Sequence, residues 1–463
     1  MLIKLWLQVK RSLWRAEGEK SNMLQALKFA NFTKLLAGRL ISNIGDSFYM
    51  LSAMWLVYDL GGSTFYSGLA VFLTSIPRIV QFLYGPLIDR WPLKNMLVVT
   101  QLTQAILLLI LPLSYWLDFI SVTLVLILLP IIAVLNQFIF PAQMSALPKV
   151  LPKEHLTAGN AWFSAANQGS EAVFNALGGV LIALIGIVSM FMMNSVLFLL
   201  ASLIFMTLRP IPSNMEGKSG GKGEGNGLSG EEVVRRTASK LSFRQYVKEL
   251  MEGVAVLRHP YIIRLLAGMI VINCAGGAVF AVLPGLAQSS DWYGMMLASV
   301  AVFSMVGVLL APHLRPETLP MGAMYIGAFL WCGLAWFAAA QVSSMWLAVL
   351  LYGMGWVPTA ITNIIAMVFM QNLIPAHLLG RVMAAVGSIG AVAMPIGALL
   401  GGIGGAALSS AAVLMISGLL VVLVAVVWLI DPVTRRMGAV TKMDTTMFFP
   451  QQGSIGEERV SLS

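Results

Sequence analysis

The chain is 463 residues long, 58% hydrophobic and only 11% charged, with a mean hydropathy of +0.84. A soluble globular domain carries about 25% charged residues, so these values exclude one and point to a polytopic membrane protein. The net charge of +9 is distributed over inner loops, which argues against a nucleic-acid partner and for the cytoplasmic face of a membrane. Cys274 and Cys332 both sit in apolar runs, so neither a disulfide framework nor a cysteine metal site is expected.

Residues 1–31 hold no uninterrupted apolar core of signal-peptide length. Leu2, Leu5, Trp6, Val9, Leu13 and Trp14 can share one face of a short helix. Lys4, Lys10, Arg11 and Arg15 are then available to anionic lipid of the inner leaflet. A start at Met23 is the alternative. Apolar runs separated by Gly, Pro, Ser or charged breaks then predict twelve spans. The first six are Leu35 to Tyr58, Ser67 to Ile88, Met96 to Trp116, Ser121 to Phe140, Asn160 to Ile185 and Ser189 to Leu208. The other six are Ile262 to Ala287, Tyr293 to Leu314, Met321 to Ala340, Met345 to Leu373, Leu379 to Gly404 and Ala411 to Ile430.

The expected organisation is an N-terminal segment (1–31), a six-helix bundle (32–208), a cytoplasmic linker with a surface helix (209–260), a second six-helix bundle (261–430) and a tail (431–463). The linker's Gly, Ser, Lys and Glu residues are too polar to bury a core. Leu241 to Leu257 has the spacing of a helix lying on the membrane surface. Of the 29 Lys and Arg residues, Arg39, Arg78 and Arg264 lie within spans and none falls in an outer loop. The positive-inside rule therefore places both termini in the cytoplasm.

The halves repeat one another. Leu35-Leu36-Ala37-Gly38 recurs as Leu265-Leu266-Ala267-Gly268, and Tyr66-Ser67-Gly68 returns as Trp292-Tyr293-Gly294. Pro152, Gly178 and Gly179 recur at one offset of 223 as Pro375, Gly401 and Gly402. Such matches in corresponding spans indicate two parallel six-span repeats.

Asp46 lies near the middle of the first span. A carboxylate at that depth costs about 2.5–3.5 kcal/mol on insertion scales, so it requires a bundle interior, a wet cavity or a partner. Arg78 in the second span and Glu171 in the fifth lie at similar depth. Two acids and one base leave one carboxylate without a fixed partner, and burial beside a like charge favours its neutral form. We therefore expect a proton-exchanging group here, Asp46 ahead of Glu171, with Arg78 holding the other acid ionised. The alternative is a structural acid, or an Arg78–Glu171 ion pair joining helices. The second half has no mid-span acid. Asn273, Tyr352, Trp356, Thr359 and Asn363, with Asn43 of the first span, are the expected substrate-cavity residues, a wall suited to an amphipathic or aromatic ligand.

The inner loop Gly85-Pro86-Leu87-Ile88-Asp89-Arg90-Trp91-Pro92-Leu93-Lys94 resembles the signature Gly-x-x-x-Asp-Arg-x-Gly-Arg-Lys of the major facilitator superfamily. Gly85, Asp89, Arg90 and Lys94 match, whereas Pro92 and Leu93 depart from it. The resemblance implies that this loop is a conformational latch, and Arg381 at the inner start of the eleventh span is its expected partner. It implies an all-α fold of twelve transmembrane helices in two six-helix bundles.

Arg39-Leu40-Ile41-Ser42-Asn43-Ile44-Gly45-Asp46, Leu151 to Leu156 with Gly159-Asn160, and Ile374-Pro375 with Gly380-Arg381-Val382 are similar to the branch of macrolide-efflux and enterobactin-type siderophore exporters. That likeness implies a proton-driven export permease of the cytoplasmic membrane. The exporters' Gly-Pro-x-x-Gly-Gly run is reduced here to Gly178-Gly179 after Phe174-Asn175-Ala176-Leu177. The chain lacks a phosphate-binding loop with its Lys, and His155, His259, His313 and His377 are scattered. No enzyme, cofactor or metal is expected. The expected partners are a small molecule, protons and membrane lipid, with the chain monomeric. Proton-coupled uptake, or a non-transporting sensor or scaffold, is the rival reading.

Overall fold

The computed structural model describes residues 25–79, 91–156, 158–163, 165, 166, 170, 181, 182, 184–209, 259–314, 318–374, 376–439 and 441. In chain order the helices are α1 (Ala30–Gly61), α2 (Thr64–Ile79), α3 (Leu93–Trp116), α4 (Val122–Val150), α5 (Ile187–Met206), α6 (Pro260–Ala287) and α7 (Ser290–Leu314). They continue as α8 (Met321–Ala339), α9 (Met345–Met354), α10 (Trp356–Leu373), α11 (Ala376–Ala407), α12 (Ser410–Ile430) and the short α13 (Pro432–Arg435). These match the expected spans in order. The fifth span falls largely outside the described residues, as do the N-terminal amphipathic segment and the linker. Nine membrane-crossing segments among the described residues are long and apolar enough by composition alone. The first span is not one of the nine, because Arg39, Asn43 and Asp46 dilute its apolar character.

Local chemistry sets the ends. The α1 helix stops at Gly62, whose φ of 62° is the left-handed conformation a glycine adopts without a Cβ penalty, and its N–H closes the last turn on the Tyr58 carbonyl. Ser121 and Ser409 cap α4 and α12, each hydroxyl accepting from an N–H three residues on, at 3.2 and 3.0 Å. The tenth span, expected as one helix, runs through α9 and α10, which join at Gly355 in helical backbone (φ −61°, ψ −23°) with its N–H on the Leu351 carbonyl.

The described residues divide into two compact units. One is Met1–Gly223 with Pro284–Ala301, the other Glu224–Leu283 with Val302–Ser463. In the first unit α3 and α5 share the most extensive helix contact, and α1 lies against α5. Lipid offers no hydrophobic incentive to bring apolar helices together, so close approach comes from small residues and interhelical hydrogen bonds. Ser195 Oγ on α5 donates to the Ala105 carbonyl of α3 at 2.6 Å, and Ser202 Oγ to that of Val98 at 3.1 Å. Gly38 and Gly45 of α1 are pressed against the rings of Phe205 and Phe198. Tyr293, fully buried, donates to the Leu51 carbonyl at 3.1 Å and stacks obliquely on Trp55.

The second unit repeats this plan with different residues. Its most extensive contact is between α8 and α12, where Gly333 and Gly418 meet backbone to backbone. A Cβ on either would lie 2.5–2.6 Å from the other's carbonyl oxygen. Gly268 is pressed against Trp428, as Gly38 is against Phe205. The glycines are repeat equivalents, and the two aromatics are separated by the same 223 residues as the proline and glycine matches.

One end of each unit is tied alike. Lys34 Nζ donates to the Thr207 carbonyl at 2.7 Å, and its equivalent Arg264 donates through Nε to Asp431 Oδ2 at 2.7 Å and through Nη2 to Oδ1 at 3.4 Å. Asp431 also caps α13, accepting from the Thr434 N–H and hydroxyl. Beyond α13 the Gly438 and Met437 carbonyls accept from the N–H groups of Met321 and Gly322, which open α8. Hydrogen bonds from Arg264 and Thr434 hold the Asp431 carboxyl far below the usual carboxylate range.

Two tests follow from this packing. Gly333→Ala forces a methyl group onto a carbonyl that cannot swing aside, and costs about 1–3 kcal/mol. Gly327→Ala, inside α8 at a glycine with nothing within 4 Å of its Cβ position, does not lower the thermal midpoint in detergent, since alanine is the better helix former. Because the folded-state pKa of Asp431 is depressed, its contribution is complete above the unfolded carboxyl value of about 3.9 and fades only as the pH falls below that. Asp431→Asn therefore lowers the thermal midpoint at pH 7, and its deficit relative to the unsubstituted chain shrinks in acid.

Candidate functional site

The site is built on one face of α1. Arg39, Asn43 and Asp46 follow one another at four and then three residues, which stacks them on one side of a helix. Each is met by a different group. Asp46 Oδ1 accepts from Asn136 Nδ2 of α4 at 2.9 Å. Asn43 Nδ2 donates to the Ala166 carbonyl at 3.1 Å. The buried Arg39 guanidinium lies 5.0 Å from the centroid of the Phe140 ring, a cation–π contact, and acts electrostatically on Asp46 two turns away.

A second row of polar groups lies behind this face. Ser42 donates to the Gly38 carbonyl and lies 3.0 Å from Gln101 Oε1. Gln101 Nε2 donates to Gln104 Oε1, and Gln104 Nε2 to the Ile132 carbonyl. Tyr49, one turn beyond Asp46, donates its hydroxyl to the Leu129 carbonyl at 2.9 Å. With its amide turned so that both atoms are satisfied, Asn194 of α5 donates to the Gly45 carbonyl and accepts from the Tyr49 N–H. The α1 helix is thus fastened to α3, α4 and α5 by polar side chains, the arrangement an apolar medium demands of any polar group within it.

The expected residues are placed as follows. Asp46 and Asn43 share the α1 face. Arg78 is exposed in the last described turn of α2, after Pro77. Glu171, Gly85, Asp89 and Arg90 lie outside the described residues, as does the Phe174–Gly179 run. Lys94 is half-buried in the first turn of α3, and Arg381 lies on α11.

In the second unit Asn273 is half-buried on α6, its Nδ2 donating to the Met269 carbonyl at 2.8 Å. Tyr352 is completely buried, its ring 6.3 Å from Trp336 of α8 and 6.4 Å from Trp356. Its hydroxyl approaches the Trp356 indole without reaching hydrogen-bond geometry. Thr359 Oγ1 donates to the Gly355 carbonyl at 3.3 Å, and Asn363 is exposed. Among the described residues no group of three or more His, Cys, Asp or Glu could hold a metal ion.

Sequence reasoning passed over Asn136 and the role of Arg39. The seven-residue spacing of Arg39 and Asp46 was a usable signal for the second. For Asn136 the only local signal is an amide inside an apolar run, with nothing to link it to a residue ninety positions earlier.

Helices of membrane-crossing length with a polar face held inside their packing define a multi-pass membrane protein. The chain belongs to the Major Facilitator Superfamily, whose model matches residues 35–398. It is 25% identical over 381 residues to the uncharacterized MFS-type transporter YkuC of Bacillus subtilis, covering 78% of this chain and 82% of that one. It is 27% identical over 133 residues to YvqJ of the same organism, which covers 28% of this chain and 31% of that one. Among solved structures the fold is similar to the nucleoside transporter NupG, with a TM-score of 0.62, 11% identity, and coverage of 89% of this chain and 100% of that one. It is also similar to a POT peptide transporter in complex with sulfate, with a TM-score of 0.59, 14% identity, and coverage of 88% and 96%.

The Asp46–Asn136 bond carries a prediction of its own. Asn136→Ala removes a donor from a carboxyl group inside the bundle and costs about 1.5–3 kcal/mol if that group is charged. In a double-mutant cycle on the thermal midpoint, adding Asn136→Ala to Asp46→Asn costs measurably less than adding it to the unsubstituted chain.

Proposed function

We propose that this transporter exports lipophilic or amphipathic small molecules across the cytoplasmic membrane in exchange for protons. The observation that carries the reading is the placing of Asp46. It stands near the middle of α1, with one oxygen held by the neutral donor Asn136 and with Arg39 two turns away on the same helix. An acid purely for structure would gain most from a bidentate base, as Asp431 does at the membrane edge. A group that loads and unloads a proton is better served by a neutral neighbour that tolerates both states.

On this reading Glu171 is the second acid of the coupling site and Arg78 its base. Gly85, Asp89, Arg90 and Lys94, with Arg381, form the latch that holds one cavity orientation. Both termini are cytoplasmic, and one chain is the working unit. Export is supported by the exporter-like residues of the first span and of the segments before the fifth and eleventh. The amphipathic ligand class is supported by a second half with no acid in the middle of a span and few hydrogen-bonding side chains there.

The experiment is a susceptibility screen of deletion and overexpression strains against a compound panel, followed by transport of a hit in inverted vesicles with an imposed pH gradient. Uptake into the vesicles driven by an acid interior is the expected result, with Asp46→Asn reducing it to the level of empty vesicles. Full proton-coupled uptake in both Asp46→Asn and Glu171→Gln would overturn the coupling assignment. Accumulation of the compound by the overexpressing strain would overturn the direction.

A further inference from the structure

A proline in a helix lacks the N–H that the carbonyl four residues earlier would accept. In the tenth span the proline is Pro358 and the carbonyl is that of Met354, one residue before the joint of α9 and α10. At mid-depth of a membrane neither water nor lipid satisfies a free carbonyl. The Trp331 indole of α8 does so, its Nε1–H donating to the Met354 carbonyl at 3.0 Å. Trp331 stands near the middle of α8 and is half exposed, away from the membrane–water borders where tryptophans gather. Four residues beyond Pro358, the Tyr325 hydroxyl of the same helix donates to the Thr362 carbonyl at 3.2 Å. Two aromatic donors of α8 thus hold the main chain on either side of the proline. The first repeat has neither feature. Its fourth span aligns with the tenth at the offset of 223, through the N-caps Ser121 and Ser344 and the C-caps Leu151 and Ile374. Leu135 therefore stands at the place of Pro358, and α3 carries no tryptophan before Trp116.

The buried side of the joint is built differently. Trp336 of α8, only 1% exposed, holds its Nε1 2.6 Å from where a Cβ on Gly355 would stand, so any side chain at 355 would displace the ring. Among the described residues Trp336 Nε1, Trp356 Nε1 and the Tyr352 hydroxyl are buried without a hydrogen-bond partner. Their rings lie 5.8–6.4 Å from one another. Buried donors with no acceptor raise the free energy of the arrangement they sit in. Around one joint, then, a surface indole keeps the chain in line, while three buried donors gain only if backbone carbonyls turn towards them. Such opposed preferences make an element with two discrete arrangements.

We infer that Trp331 is the positioning residue of the tenth span. Its indole replaces the N–H that Pro358 lacks and keeps α9 and α10 in line, and its release lets them bend between Met354 and Pro358. The bend presents carbonyls of this stretch to Trp336, Trp356 and Tyr352. The inference needs neither the direction of transport nor the proton coupling proposed above.

The test uses the full chain carrying Cys274→Ser. The remaining thiol, Cys332, is buried on α8 beside Thr359 of α10, and is uncovered when α10 swings away. Its labelling by N-ethylmaleimide in membranes is the readout. Trp331→Phe keeps a ring but loses the N–H, and speeds the labelling about fivefold, the shift that loss of one hydrogen bond allows. Pro358→Ala gives the Met354 carbonyl an N–H from its own helix and slows the labelling. In the Pro358→Ala chain the further change Trp331→Phe alters nothing, which separates a lost hydrogen bond from lost packing. Acceleration of equal size in both backgrounds, or none in the first, overturns the inference. Should Trp331→Phe fail to fold, Pro358→Ala decides alone, and labelling that is not slowed overturns it.

Discussion

A polar group inside hydrocarbon has to be satisfied by its own protein, because neither water nor lipid can do it. That constraint organises the first unit. Arg39, Asn43 and Asp46 could not have stayed on α1 unless α4 and the chain near residue 166 supplied partners at the right height. Ser42 draws Gln101 and Gln104 into a chain of contacts ending on a backbone carbonyl of α4. The polar residues that cost most to insert are therefore also the ones that fix how α1 sits among its neighbours.

The second unit solves the same packing problem by subtraction. Where the first joins its third and sixth spans through Ser195 and the Ala105 carbonyl, the second brings two glycine backbones together at Gly333 and Gly418. Both devices bring helix axes close, one by a hydrogen bond and the other by removing side chains, and dispersion across the seam does the rest. A duplicated architecture can thus keep its geometry while its halves diverge chemically, one retaining a carboxyl group where the other has a glycine.

Much of the fold was legible in the residues, because the signals were local. Apolar runs of bilayer length gave the order of spans, and Leu35–Gly38 against Leu265–Gly268 exposed the repeat. The isolated Asp46 announced itself by its cost. The rest depended on contacts remote in sequence. Nothing near Asn136 says that it meets Asp46. Tyr352 and Trp356 could be read as cavity wall, because aromatic spacing along a helix does not reveal which neighbour the face meets. In the structure Tyr352 is sealed against Trp336.

The two helix-end ties of Lys34 and Arg264 differ in what they ask of their targets. Lys34 binds a main-chain oxygen, which every amino acid possesses, so position 207 is free to drift without losing the tie. Arg264 needs the one side chain that can grip a guanidinium with two oxygens and still cap α13, so position 431 has almost no freedom. Equivalent corners of the molecule thus stand under unequal evolutionary constraint, and variation among descendants of this chain should accumulate at the first while leaving the second fixed.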